Sequence, residues 1–284
     1  MATKLSFADD GSHSWTRVCA SGDGLLLAGD NKRKKFNKFV LIPVTGEIRK
    51  VPLSPFALSP LYSSIMYGIG YDSVGDDYKI VSLSYYNSDD DYEPMFVNVH
   101  SLKKGFWKKA RSYPYNHAVG HVTPGASVSG CIHWLASRAT DKKSTIVAFD
   151  LVEEKVREVE PPSSIEGDKF ASNQLVVLGG CLCMFGKSVI GIRVMKEYGV
   201  KESWTTFSID DCRIVDIKPL FMLGKEKIVL KDNEKLVVYN LKEGTCEDIV
   251  VPSIQHDFLA ETSFVESLVS VSYTHLTLPT KRIV

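Results

Sequence analysis

Five segments of this chain repeat one pattern: a short apolar strand, a polar turn and a second short strand. They read FVLIPVTGEIRKV from Phe39, VNVHSLKKGFWKKA from Val97, IVAFDLVEEKVREV from Ile146, IRVMKEYGVKESWTTF from Ile192 and LVVYNLKEGTCEDIVV from Leu236. Aligned on Ile42, His100, Phe149, Met195 and Tyr239, they recur at steps of 58, 49, 46 and 44 residues. A unit of about 40–50 residues built from several strands cannot bury its apolar faces alone, so neighbouring units must stack. That is the period of a β-propeller blade.

A further strand pair precedes the later hairpins, each with its own turn chemistry. GIGYDSVGDDYKIVSL from Gly68 turns between Asp72 and Asp77, and GASVSGCIHWL from Gly125 turns at Ser129 and Gly130. NQLVVLGGCLCMF from Asn173 turns at Gly179 and Gly180, and KIVLKDNEKLVV from Lys227 turns at Asp232 and Asn233. Gly, Asn and Asp accept the positive φ angles of tight hairpin turns. The 30 valines against 13 alanines suit pleated sheets better than helices. No long window keeps a helical period, and residues 54–64, 87–94, 111–124 and 161–171 read as loops. The expectation is one all-β, propeller-like (kelch-like) domain of about five to six four-stranded repeats. End strands at 25–28 and 264–269 either complete the ring or leave it incompletely closed.

Charge and cysteine usage exclude several classes. Lys and Arg number 34 and Asp and Glu 34, so no global field favours nucleic acid or anionic lipid. The six cysteines (Cys19, Cys131, Cys181, Cys183, Cys212, Cys246) show no CxxC spacing, which argues against a zinc site and a disulfide framework. No run approaches the ~18 apolar residues of a membrane span, and residues 1–10 lack the apolar core of a signal peptide. A cytoplasmic or nuclear location is expected, with no cofactor, nucleic acid or membrane partner.

Six elements in order then carry a resemblance. They are Gly24-Leu-Leu, IPVTGEIRKVP from Ile42, GIGYDSVGDDYKIV from Gly68, GCIHWL from Gly130, IVAFDL from Ile146 with Glu202-Ser-Trp, and FVESL from Phe264. Across residues 15–271 the chain resembles the plant F-box-associated interaction domain of F-box and F-box/kelch-repeat proteins. Gly70, Tyr71, Asp72, Asp77, Tyr78, Lys79 and Trp134 fall on its motifs and are expected to be structural. The family's Asn before the proline is Ile42 here, and its Cys-Asn ahead of Gly-Leu is Gly22-Asp23. The resemblance implies a non-catalytic module that recruits a protein target for a cullin-based ubiquitin ligase. The coupling F-box is not visible in this sequence, so ligase contact is expected only with an F-box upstream. An F-box-less competitor or truncated product that binds targets without ubiquitylation is an alternative, as is a propeller enzyme or sugar-binding domain. Residues 1–14 read as a remnant, 15–270 as the interaction domain, and 271–284 as appended cloning-derived sequence.

Each candidate residue has a structural reading beside the functional one. Asp72, Asp76 and Asp77 lack the alternating oxygen ligands of a calcium loop and fit a hairpin turn accepting backbone N–H groups. His117 and His121 sit four apart, but Pro114, Gly120, Pro124 and Gly125 preclude a helix that would pair them, so no metal site is expected. With Tyr113 and Tyr115 they form an aromatic loop suited to partner contact. Asp89, Asp90, Asp91 and Glu93 form an acidic tip, and Lys32, Arg33, Lys34, Lys35 and Lys38 a basic one. Trp107, Trp134 and Trp204 are expected between blades. There is no GxSxG, Walker or HExxH motif.

Overall fold

The computed structural model describes residues 15–30, 37–43, 45–58, 63–86, 94–117, 123–141, 143–162, 173–186, 189–209, 217–232 and 235–249. They form five antiparallel, four-stranded blades in chain order, of which the first and third meet at one parallel bridge, Ser21 to Ala126, and with a short strap make a single nine-stranded sheet. Blade 1 holds β1 (Trp15–Gly22), β2 (Leu25–Asp30), β3 (Asn37–Ile42) and β4 (Glu47–Val51). Blade 2 holds β5 (Ser63–Asp72), β6 (Asp77–Tyr86), β7 (Phe96–Ser101) and β8 (Trp107–Lys109), followed by a short strap, β9 (Tyr115–His117). Blade 3 holds β10 (Ala126–Val128), β11 (Cys131–Arg138), β12 (Ser144–Asp150) and β13 (Val156–Val159). Blade 4 holds β14 (Asn173–Leu178), β15 (Cys181–Gly186), β16 (Val189–Met195) and β17 (Trp204–Ser208). Blade 5 holds β18 (Ile217–Leu223), β19 (Lys227–Asp232), β20 (Lys235–Asn240) and β21 (Thr245–Ile249).

The all-β, propeller-like architecture is as the repeats predict. Among the described residues no strand pairing joins blade 5 to blade 1. No helix among them is long and apolar enough to cross a membrane. Residues 1–14, 264–269 and 271–284 lie outside the described residues.

The apolar runs are continuous rather than alternating because both faces of the blades are covered. On β2, Leu25 and Leu27 face blade 2, whereas Leu26 and Ala28 pack on the other face with Phe39 and Leu41. On β11, Ile132, Trp134 and Ala136 join the core shared with blade 2, while Cys131 and Leu135 join the one shared with blade 4. Blades 4 and 5 share a core of Cys183, Phe185, Ile192, Ile228, Leu230 and Tyr239. Each buried Leu, Ile or Val contributes about 1.5–3 kcal/mol, so stacking supplies the stability that a lone blade lacks.

Turn chemistry sets the register. Three first hairpins close over two residues with positive φ: Asp23 (48°) and Gly24 (82°), Ser129 (54°) and Gly130 (70°), Gly179 (57°) and Gly180 (78°). The second hairpins repeat another device. Gly46, Gly105, Glu154 and Gly244, all at positive φ, donate N–H to the carbonyls of Ile42, Ser101, Asp150 and Asn240, each at 2.9 Å. The side chains of Ser101, Asp150 and Asn240 accept N–H groups inside the same turns.

These turns correct parts of the sequence alignment. All five anchor residues lie on third strands, but Ile42 is the counterpart of Ser101, Asp150 and Asn240, one residue out of step with His100, Phe149 and Tyr239. The pair 227–238 forms the second and third strands of blade 5; its first strand, β18, hides behind Pro219 at an irregularity in the pairing. Leu25–Ala28 lies in a second strand rather than an end strand. The supposed loop 111–124 contains β9, which pairs with β11.

Two tryptophans tie adjacent blades in the same way. The indole N–H of Trp107, opening β8, donates to the carbonyl of Pro52 just after β4, at 2.7 Å. That of Trp204, opening β17, donates to the carbonyl of Glu160 just after β13, at 3.0 Å. Trp107→Phe and Trp204→Phe should each cost about 1 kcal/mol, the net worth of one hydrogen bond. The losses should add in the double variant because the two bonds lie at separate interfaces. Urea unfolding measures both expectations.

Candidate functional site

Strand alternation places the first and second hairpin turns of every blade at the same face of the domain. The longest motif, GYDSVGDDYK, lies on this face in blade 2 and is tied to both neighbouring blades. Asp72 Oδ1 accepts N–H from Val74 (3.0 Å) and Gly75 (2.9 Å). Its Oδ2 lies 2.8 Å from Lys79 Nζ, which also reaches Glu154 Oε1 (3.0 Å) and the carbonyl of Leu151 (2.6 Å) in blade 3. Lys108 completes the network on Glu154 Oε2 at 2.5 Å. Burial disfavours the Asp72 carboxylate, but the Gly75 N–H and Lys79 outweigh it and hold its pKa below the ordinary range. Burial likewise opposes the Lys79 charge, yet Asp72 and Glu154 leave its pKa raised.

The other motif residues also serve packing. Asp77 accepts the Ser101 hydroxyl and, at 2.8 Å, the Lys103 N–H, so it joins β6 to the turn after β7. The Tyr78 hydroxyl donates to the Asp23 carbonyl in blade 1 (3.1 Å), and the Tyr71 hydroxyl donates to Asp76 (2.7 Å). A Cβ on Gly70 would stand 2.7 Å from both Leu151 Cδ1 and Ser127 Oγ. Trp134 fills the space that side chains at Gly68 and Gly125 would need. The sequence places Lys79 along a sheet surface; the structure buries its ammonium in a salt-bridge network.

A second polar cluster bridges blades 3 and 4. His133 Nδ1 lies 2.9 Å from the Ala126 carbonyl and must donate to it, so Nε2 accepts from the Tyr198 hydroxyl at 2.8 Å. Arg157 donates to Cys131 Sγ (3.1 Å) and Tyr198 Oη (3.4 Å). Burial, and Arg157 beside it, lower the His133 pKa to about 4; burial pushes the Tyr198 phenol up to about 12. Every group in this cluster is occupied by another.

Between the first strands lies a cavity of about 790 Å³. Its walls come from blades 1, 3, 4 and 5, with Leu175, Val177, Phe185, Leu220, Phe221 and Met222 as their apolar part. Asp23, Ser127, Ser129, Gln174 and Lys218 supply polar groups. Asp23 stands at positive φ, a conformation Asn and Asp tolerate, and its Oδ2 accepts the Tyr71 N–H at 2.9 Å. Burial pushes its carboxyl above the ordinary range, against the lowering effect of that N–H. Sequence reading missed this site because its residues come from four separate blades. The only signal was the set of glycine turns.

The aromatic loop is partly placed. Tyr113 pairs through its backbone with Met95, and its hydroxyl accepts the Val156 N–H at 3.2 Å. The Tyr115 hydroxyl donates to Glu158 Oε1 (3.0 Å), which Arg138 also holds. Both rings pack on the core shared by blades 2 and 3. Both residues remain half-exposed. His117 lies on β9 opposite Ala136, with its side chain outside the described residues; His121, Lys32, Arg33, Lys34 and Lys35, Asp89, Asp90, Asp91 and Glu93 lie outside them altogether. Lys38 is described, and its ammonium sits 5.3 Å from the Tyr67 ring centre. Among the described residues no group of three or more His, Cys, Asp or Glu could hold a metal ion.

The fold and this face define a propeller-type domain with its polar motif spent on inter-blade contacts. The chain belongs to the F-box associated beta propeller domain family, whose profile matches residues 2–273. It is 30% identical over 276 residues to the F-box protein CPR1 of Arabidopsis thaliana, covering 87% of this chain and 66% of that protein. It is 26% identical over 184 residues to the Arabidopsis F-box/kelch-repeat protein At3g23880, covering 63% of this chain and 49% of the relative. The chain thus spans about half to two thirds of these relatives. Among solved structures it is similar to TolB from Acinetobacter baumannii, with a TM-score of 0.44 and 12% identity over 78% of this chain and 50% of that one.

Two measurements test the electrostatics. Lys79→Met leaves the buried Asp72 carboxylate without its cation, while Glu154 keeps Lys108, and should destabilise the domain by about 3 kcal/mol in urea unfolding. His133 and His100, both lowered to about 4 chiefly by burial, titrate near 6.5 when unfolded. The unfolded state therefore binds protons first. Stability should be level above about pH 7 and fall as pH drops from about 6.5 towards 4, by up to about 1.4 kcal/mol per pH unit for each imidazole. His133→Gln should flatten that slope.

Proposed function

We propose that this chain is a non-catalytic protein-interaction module that receives a partner protein on its tight-turn face. In the context of an F-box subunit it presents that partner to a cullin-based ubiquitin ligase. Membership of the F-box associated family and relatives named as F-box proteins support the ligase context. The observation that carries the binding role is the open, largely apolar cavity ringed by short turns. Such a surface suits recognition, since concave apolar walls with a few polar groups are how folds bind ligands. The non-catalytic reading is supported by the polar clusters beside the cavity. Cys131, His133, Tyr198 and Arg157 bond to one another, and Asp72, Lys79 and Glu154 do the same. A nucleophile and its base need free access to substrate, and these groups have none to spare. The partner is a protein of unknown identity, and the expected location is cytoplasmic or nuclear.

The test compares the 284-residue chain with the same chain carrying an F-box fused upstream. Both should capture the same partner protein, while only the fusion should co-purify the cullin adaptor and direct ubiquitin to that partner. Adaptor binding by the unfused chain, or chemical turnover of the captured partner, would overturn the proposal.

A further inference from the structure

The cavity carries a more specific reading of what enters it. Its volume of about 790 Å³ lies in the range of about 300–1,000 Å³ that holds a bound ligand rather than a single water. β14 and β18 both contribute to the lining, with Gln174, Leu175, Val176 and Val177 from the first and Leu220, Phe221 and Met222 from the second. The lining is more apolar than polar, so apolar side chains gain from it. The rim is built for close backbone approach. Gly180 and Gly224 both line the cavity, and a Cβ at either would meet open space.

Two charged residues line the cavity, Asp23 and Lys218. Asp23 Oδ2 accepts the Tyr71 N–H, and among the described residues no cation pairs with this carboxylate. The groups near it are the phenol of Tyr78 and the hydroxyl of Ser127 near Gly70. Lys218, on β18, is engaged within the protein. A carboxylate held above its ordinary pKa by partial burial is one that an arriving cation would relieve.

We propose that the cavity takes an extended segment of the partner protein in which one or two large apolar side chains lie beside a lysine or arginine that pairs with Asp23. This rests on the interaction-module reading and names its recognition chemistry. The apolar residues fill the space beside β14 and β18, and the neighbouring cation turns back to the Asp23–Gly24 turn of blade 1. An acidic segment would meet Asp23 with like charge and be rejected, so the same carboxylate supplies specificity.

The test uses three acetylated, amidated peptides, Gly-Leu-Phe-Arg-Gly, Gly-Leu-Phe-Glu-Gly and Gly-Ser-Ser-Arg-Gly, titrated into the nitrogen-15-labelled chain. The expected result is movement of the Gly24, Val177, Gly180 and Phe221 amide signals with the first peptide. The other two should bind at least about tenfold more weakly. Asp23→Asn keeps an acceptor for the Tyr71 N–H and tolerates φ of 48°, so its thermal midpoint should match the parent. Its preference for Arg over Glu should nevertheless fall to about one. Gln174→Trp, which fills the cavity from β14, should abolish binding of all three peptides. Unmoved signals at millimolar peptide, equal binding of the Glu peptide, or an unchanged preference in Asp23→Asn would each overturn the proposal. A partner protein that binds the parent, Asp23→Asn and Gln174→Trp equally would leave the module reading standing and remove this one.

Discussion

One buried ammonium, Lys79 Nζ, ties blade 2 to blade 3. It is shared between Asp72 of its own blade and Glu154 and the Leu151 carbonyl of the next. Removing such a charge from water costs several kcal/mol, and its partners repay this only in one geometry. The network therefore selects an arrangement more than it adds stability. Glu154 shows the selection at work. Its turn is the one in which Gly46, Gly105 and Gly244 occupy the equivalent position, yet Glu154 accepts φ of 54° because its carboxylate is required by Lys79 and Lys108. Strain at a turn is tolerated where a side chain is needed.

The position of the cavity follows from that anchoring. Blades 1, 2 and 3 are drawn together at the axis, where Ser21 bridges Ala126 in parallel and the Gly125 N–H donates to the Tyr67 carbonyl at 2.8 Å. Only glycine fits there. A Cβ on Gly22 would lie 2.1 Å from the Ile69 carbonyl oxygen, and one on Gly68 2.3 Å from Ile132. The first strands of blades 4 and 5 have no such close approach to blade 1, so space opens on their side. The three-blade knot thus closes one half of the axis, and the cavity lies in the other half.

Much of this was legible along the chain because it is local. Turn residues such as Ser129 and Gly130 announce hairpins, and runs such as those of β2 and β11 announce strands. The steps between repeats then set the blade count to within one. What was not legible depends on contacts between distant residues. Lys79 looks like a surface lysine until Glu154 is placed beside it, 75 residues away. The hydroxyl partners of Tyr113 and Tyr115, the Val156 N–H and Glu158, lie 43 residues away in the chain. Strand β18 was missed for a different reason: Pro219 removes a donor from the ladder, and the pairing accommodates it with an irregularity that no periodicity predicts.

Position 23 separates two roles that a single residue usually confounds. The turn needs a residue tolerant of φ near 48° whose side chain accepts the Tyr71 N–H, and asparagine or aspartate meets both needs equally. The resemblance that first pointed to this family places asparagine there, whereas this chain has aspartate. The exchange leaves the hairpin and the inter-blade bond undisturbed while adding a negative charge at the mouth of the cavity. The scaffold does not depend on that charge, so under the proposed binding role it can change with the partner. A fold whose stability lies in buried turns and blade cores can in this way change its preference for a ligand through one rim residue, without repacking anything beneath it.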